Sequence, residues 1–262
     1  MRRAALAAVV FLATFVGLAF LALPVCSIFL RVSPGRLAAQ LGNPVVTDAL
    51  IVSLKTTVAA QALILALGTP TAYVLASRRF RGRSLLVTLV ELPLVLPPAV
   101  AGIGLFAAFG RSGLLHTSIP FTQAAVVLAV AFVASPLYVR AAIAAFEGVD
   151  PNVVAASRTL GAGPLRTFFR VVLPLARGGL VAGAALAFAR GLGEFGATIM
   201  FAGSLRGVTE TLPLAVYSQF NVDFNVALAV SALLVLISAA LLVTLKWLPS
   251  ASTSRFRFAT SS

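Results

Sequence analysis

Ser157–Pro174 reads SRTLGAGPLRTFFRVVLP, and the placement of this stretch decides the fold. It carries Arg158, Arg166 and Arg170, two glycines and two prolines. The sequence on either side belongs in a different medium. Of the 262 residues, 60% are hydrophobic and only 10% are charged, and the mean hydropathy is +1.04. A soluble domain carries about a quarter charged residues. Apolar runs of about 18 residues or more recur, each long enough for a hydrocarbon layer of roughly 30 Å. They show no strand-like alternation, and helices keep their backbone groups hydrogen-bonded in lipid. The chain therefore reads as an all-α polytopic membrane protein, with Ser157–Pro174 in an insert outside the bilayer.

Six spans are expected: Ala4–Leu30, Ala49–Ala76, Leu85–Phe109, Phe121–Val139, Gly178–Ala202 and Phe224–Leu245. Basic residues fix their orientation. Arg2, Arg3, Arg78, Arg79, Arg81, Arg83, Arg140, Arg158, Arg166, Arg170, Arg177, Lys246, Arg255 and Arg257 fall on one side. Only Arg31, Arg36, Lys55, Arg111 and Arg206 fall on the other. Cytoplasmic loops carry the excess of Lys and Arg, so both termini are placed in the cytoplasm of a multi-pass cell-membrane protein. The same rule accounts for the net charge of +13 without nucleic acid. Residues 1–48 form the first span and an extracytoplasmic loop. Residues 49–248 form a core of five spans that contains the loop 147–177, and 249–262 form a cytoplasmic tail. A single cysteine, Cys26, permits no internal disulfide and reads as helix filler. His116 stands alone in a short loop with no second metal ligand near it in sequence.

The insert between spans four and five, Arg140–Arg177, is too long for a plain connector. Asp150 is placed to cap a helix that Pro151 starts and Gly161 closes. After the GAGP break, Leu165, Phe168, Phe169 and Val172 form one face of a second short helix and Arg166 and Arg170 another. Pro174 separates this helix from span five. Two short helices with aromatics beside arginines form a docking knob, and a basic interfacial helix resting on anionic headgroups is the plainer alternative.

Gly161, nine intervening residues, then Val171-Val172-Leu173-Pro174 resembles the EAA loop of ABC-importer membrane subunits. With it stand LPLVLPPAVAG (Leu92–Gly102), EGVD (Glu147–Asp150), RTLGAG (Arg158–Gly163) and LAFARGLGEFGATIMFAG (Leu186–Gly203). All four blocks, in this order, resemble molybdate ABC transporter permeases from span two onward. The resemblance implies a type I importer permease fold, a homodimer, two cytoplasmic ATPase subunits and an extracytoplasmic oxyanion-binding protein. It also implies that the loop, through Glu147, Asp150, Ala155, Ala156, Ser157, Arg158, Gly161, Arg166, Leu173 and Pro174, docks on the ATPase. The EAA triad falls on Ala155, Ala156 and Ser157, so its carboxylate is missing, and Glu147 and Asp150 are the nearest acids to replace it.

Polar groups inside spans mark a path, because a charge at bilayer depth costs at least about 2.5–3.5 kcal/mol. Glu91, Arg190 and Glu194 are such groups, and Arg190 and Glu194, four residues apart, share a helical face. The plain reading of that pair is a self-neutralising ion pair, and the sharper one places it beside the substrate. Pro93, Pro97 and Pro98 with two glycines predict a kink in span three, and further glycines line span five. Spans three and five are expected to pack closely about a pathway at a two-fold interface. Thr69, Ser135, Thr198 and Ser204 are candidate lining groups, and Pro97 and Pro98 join Glu91, Arg190, Glu194 and Thr198 as candidates for the translocation path. Gly203–Asp223 is expected to hold a short helix facing the binding protein.

The chain has no G-x-x-x-x-G-K-[ST] loop, so it is expected to bind no cofactor, and ATP-Mg would sit on the partner ATPase. The expected function is transport of molybdate or tungstate, not catalysis. Sulfate or thiosulfate is the nearest alternative, and phosphate a further one. A proton-coupled carrier with Glu91 and Glu194 as relays is the rival from another class. No paired Asp, G-x-S-x-G or HExxH supports an intramembrane enzyme.

Overall fold

The computed structural model describes residues 2–32 and 34–247. The tail 249–262, with Arg255 and Arg257, lies outside the described residues. Helices make up nearly all of the described chain: α1 (Arg2–Arg31), α2 (Pro34–Gln40), α3 (Pro44–Ser77), α4 (Arg83–Val95), α5 (Pro98–Phe109) and α6 (Gln123–Glu147). They continue with α7 (Pro151–Thr159), α8 (Pro164–Thr167), a π-helical turn (Phe168–Val172), α9 (Leu173–Leu192), α10 (Gly196–Ala202), α11 (Leu212–Gln219) and α12 (Phe224–Trp247). Five stretches are long and apolar enough to cross a membrane unbroken. These lie in α1, α3, α6, α8–α9 and α12.

The third span is broken more sharply than the expected kink. α4 and α5 meet at a 115° bend, and the Leu96-Pro97-Pro98 sequence explains it. A residue before proline is pushed out of the α region, and this applies to Leu96 and again to Pro97. Both are extended, with ψ near 134° and 131°. Pro98 then starts α5 at the position where a missing N–H costs nothing. The legs have 13 and 12 residues, about 20 Å and 18 Å at 1.5 Å per residue, so neither crosses alone. Together they do: Arg83 at the start of α4 lies against Glu147 at the end of α6. At the far end, the Phe109 ring of α5 lies against Phe201, whose carbonyl receives the N–H of Phe121 just before α6. Counted as one broken span, the pair brings the five unbroken spans to six by length and composition.

The insert also differs from expectation. α6 runs on through Glu147, so the excursion begins about two turns later than Arg140. Pro174 does not end a separate helix either. Pro164–Leu192 is one continuous helical stretch, and the π turn just before Pro174 makes this possible. An α-helical Pro174 would clash with the carbonyl four residues back, whereas the wider turn has Leu173 N–H reaching Phe168 O. The predicted apolar face is split: Val172 is buried and Phe168 partly so, while Leu165 and Phe169 point outward.

α6 is the hub, packed on α3 and α9. Small residues let these axes approach closely. A Cβ added at Gly183 or Gly179 of α9 would lie 2.6 Å from the Cβ of Ala141 or Ala145 of α6. Tyr138 is buried at the α3–α6 contact, its hydroxyl 2.6 Å from Thr69 Oγ1. α1 stands apart, its apolar window unburied and its main contact α12.

Candidate functional site

Two helix breaks face each other inside the bundle. Span five stops at Leu192 and restarts as α10 at Gly196, so the expected continuous span Gly178–Ala202 is also broken. α10 packs on α5. A Cβ on Gly196 would lie 2.5 Å from Pro98 Cβ, and one on Gly102 would lie 2.6 Å from Ala197 O. The predicted close packing of spans three and five is therefore present, and it brings the Pro97-Pro98 break against the Gly193–Gly196 break.

Glu194 sits in the second break. Its Oε2 is 2.7 Å from Arg190 Nη1, and its Oε1 accepts the Ala197 N–H at 2.8 Å, capping α10. The side chain of Glu194 is 1% exposed and that of Arg190 is 35%, so one end of the pair is buried and the other reaches outward. This is the self-neutralising pair of the plain reading. Glu91 is likewise paired, 3.1 Å from Arg140 Nε on α6. Thr198, one turn into α10, is buried with a hydroxyl that has no partner. Of the other candidate lining groups, Thr69 is taken by Tyr138, Ser135 donates to the Phe132 carbonyl, and Ser204 donates to Glu210 beyond the end of α10.

Gln61 was missed. Both polar atoms of its amide are buried and unpaired, and it lies one turn along α3 from Thr57, whose methyl faces Gly191. A buried polar group left without a partner costs about 1–3 kcal/mol. The lone amide in the middle of a long apolar span was the signal for it.

The loop is laid out as the residues predicted at its start. Asp150 Oδ1 accepts the Asn152 N–H at 2.8 Å, and Pro151 opens α7. Gly161 follows α7 with φ +84°, a left-handed value that glycine adopts without the Cβ penalty. Ser157 bonds Thr167 across the turn at 3.2 Å. Tyr73, Phe146 and Phe168 form an aromatic cluster tying α3 and α6 to the π turn. Leu173 and Pro174 join loop to span. Glu147 does not stand free: Arg83 Nη2 lies 2.5 Å from its Oε1, and Arg83 Nε donates to Leu75 O at 2.6 Å. Asp150 is occupied as a cap. Both acids thus have a partner within the chain, and both remain exposed at the loop. Ala155 and Arg158 line a cavity between α7 and the ends of α3 and α6, Ala156 is exposed beside them, and Arg166 lies on the exposed side of α8.

Residues 64–257 match the model of the family described as binding-protein-dependent transport system inner membrane component. The chain belongs to this family. Among other members, the molybdenum transport system permease protein ModB of Mycobacterium tuberculosis is 47% identical over 239 residues, 88% of this chain and 90% of that one. A probable molybdenum ABC transporter permease of Haloferax volcanii is 42% identical, covering 81% of this chain and 79% of its own length. ModB of Escherichia coli K12 is 39% identical over 79% of this chain and 95% of its own. In solved structures the same fold occurs in a methionine ABC transporter, with TM-score 0.64 and 20% identity over 80% of this chain and 97% of that one. An inner-membrane transport component agrees with the run of helices long and apolar enough to cross a membrane.

Proposed function

We propose that this chain is the permease subunit of an ATP-driven importer that takes molybdate, or tungstate, from an extracytoplasmic binding protein and releases it into the cytoplasm. Two copies would form the translocation unit, with two ATPase subunits on the face that carries α7. ATP and its magnesium belong on those subunits. Both termini then lie in the cytoplasm, as the arginine distribution requires, and α11 lies on the outer face within reach of the binding protein.

The observation that carries the reading is the identity to molybdenum permeases along 88% of the chain. The site chemistry is compatible with it. A doubly charged oxyanion in transit needs donors that replace its hydration and does not need a strong cation trap, and the paired breaks supply irregular backbone together with the unpartnered hydroxyl of Thr198. Backbone of this kind at membrane depth is tolerated where protein buries it or where it lines a cavity. The proton-relay alternative loses its main support, because Glu91 and Glu194 are each held by an arginine.

The test is uptake by the complex reconstituted in liposomes with its ATPase and binding protein, using labelled molybdate, tungstate and sulfate. ATP-dependent accumulation of molybdate or tungstate is expected. Carriage of sulfate with molybdate ignored would refute the substrate, and accumulation driven by a proton gradient without ATP would refute the class.

A further inference from the structure

The seven carboxylate side chains of this protein all lie among the described residues, and each already has a role. Asp48 holds Arg206, Glu91 holds Arg140, Glu147 holds Arg83 and Glu194 holds Arg190. Asp150 and Asp223 cap helices, and Glu210 accepts from the hydroxyls of Ser204 and Ser218. The arginines around the loop are in the opposite position. Among the described residues, Arg79 and Arg158 meet no carboxylate.

These two exposed arginines line the same cavity, of about 750 Å³, together with Tyr73, Arg83, Glu147 and Ala155. Glu147 and Arg83 neutralise each other there, so the excess charge of the cavity is positive. Ala155 contributes only a methyl at the first position of the EAA triad. A glutamate there would stand three residues from Arg158 on the same helical face and would offset it.

We propose that this cavity is a socket for an acidic side chain, an Asp or Glu presented by the ATPase and received by Arg79 and Arg158. The proposal rests on the reading of the loop as the ATPase contact, and it gives that contact a polarity: the permease contributes the cations and the motor subunit the carboxylate. A membrane headgroup fits this cavity less well. An interfacial helix buries Trp, Phe or Leu in the headgroup boundary, whereas α7 (PNVVAASRT), which walls the cavity, has none of these, and the exposed Leu165 and Phe169 of the next turns do not line it. Charge complementarity of this kind sets which partner docks and in what register.

The test uses the complex of the full chain with its own ATPase. R158K and R79K keep the charge and supply an amine. A water-soluble carbodiimide activates a carboxylate as its O-acylisourea. The amine attacks the acyl carbon and the urea leaves, so that an amide links any pair in contact. Peptide mass spectrometry is expected to find an amide from position 158 or 79 to an Asp or Glu of the ATPase, absent from the unsubstituted complex because arginine does not react. R158E is expected to weaken ATPase retention by about tenfold or more, the scale of losing one partner of a close charge pair. An amine that joins only Glu147 or Asp150, or nothing, while the ATPase stays bound would overturn the proposal. So would R79Q/R158Q complexes that lose co-purifying anionic phospholipid but keep the ATPase, since the cavity would then hold a headgroup. An unsubstituted chain that retains no ATPase would bring down the coupling reading and this socket with it.

Discussion

Arg190 and Glu194 are an ion pair with unequal ends, and this inequality predicts an ordering of variants. In R190M the Glu194 carboxylate stays 1% exposed, loses the guanidinium at 2.7 Å and keeps only the Ala197 N–H at 2.8 Å. Removing one partner of a buried pair costs about 3–5 kcal/mol. In E194Q the carbonyl oxygen of the new amide still accepts from Ala197, and Arg190, 35% exposed, can turn toward water. The loss there is the net worth of one hydrogen bond to a charged group, roughly 1.5–3 kcal/mol at most. The double variant R190M/E194Q removes charge and counter-charge together and is expected to be more stable than R190M alone. For a chain of this size 1 kcal/mol moves the midpoint by about 2–4 °C, so R190M should fall by about 6–20 °C. The measurement is the fraction surviving as a monodisperse peak after heating in mild detergent. A double variant no better than R190M, or E194Q worse than R190M, would refute the reasoning that the carboxylate is the buried member.

G161A and G161D test the loop. A Cβ at Gly161 meets nothing within 4 Å, so both variants should remain folded and membrane-inserted at a left-handed penalty of about 1–2 kcal/mol, while G161D should lose ATP-driven uptake, read in liposomes. G196A forces a Cβ to within 2.5 Å of Pro98 and should lower the thermal midpoint by an overpacking cost of about 1–3 kcal/mol, with Gly193→Ala, which has no contact under 4.0 Å, as the mild comparison. Y138F removes the 2.6 Å bond to Thr69 and strands that hydroxyl in the α3–α6 contact, for a loss of about 1–3 kcal/mol by the same heating assay, which T69V/Y138F should partly recover.

Local chemistry was legible in the sequence wherever a short stretch carries its own cause. Asp150 with Pro151, Gly161 in its left-handed turn and the Pro97-Pro98 break are each set by one or two residues and their immediate neighbours, and each appears where the sequence placed it. The Arg190–Glu194 pair is equally local, because four residues on a helix fix a distance. Pairings between distant elements were not legible. Arg83 with Glu147 and Glu91 with Arg140 depend on α4 lying antiparallel to α6, and nothing in either stretch states that neighbour. The degree of bending at Leu96 was also hidden, because two prolines dictate extended backbone but not the 115° that packing of α5 on α10 selects.

The two legs of the broken span are held to different degrees. α5 buries Ala101, Gly102 and Leu105 and locks onto α10 through contacts too close for any side chain at Gly102 or Gly196. α4 fully buries no residue; it rests on the core through the partly buried Val87 and Val90 and is tied to the hub by two ion pairs of alternating polarity, Arg83 to Glu147 and Glu91 to Arg140. Close packing falls off within about an ångström, so α5 and α10 separate only at the full cost of their contact. Ion pairs between partly exposed side chains are worth about 1 kcal/mol or less each and weaken gradually with distance. The weaker of the two attachments therefore lies beside the loop, one residue from the Gly148 that leads into α7, and the stronger lies at the far end of the bundle. A displacement applied at α7 meets less resistance in moving α4 about the Pro97-Pro98 break than in parting α5 from α10.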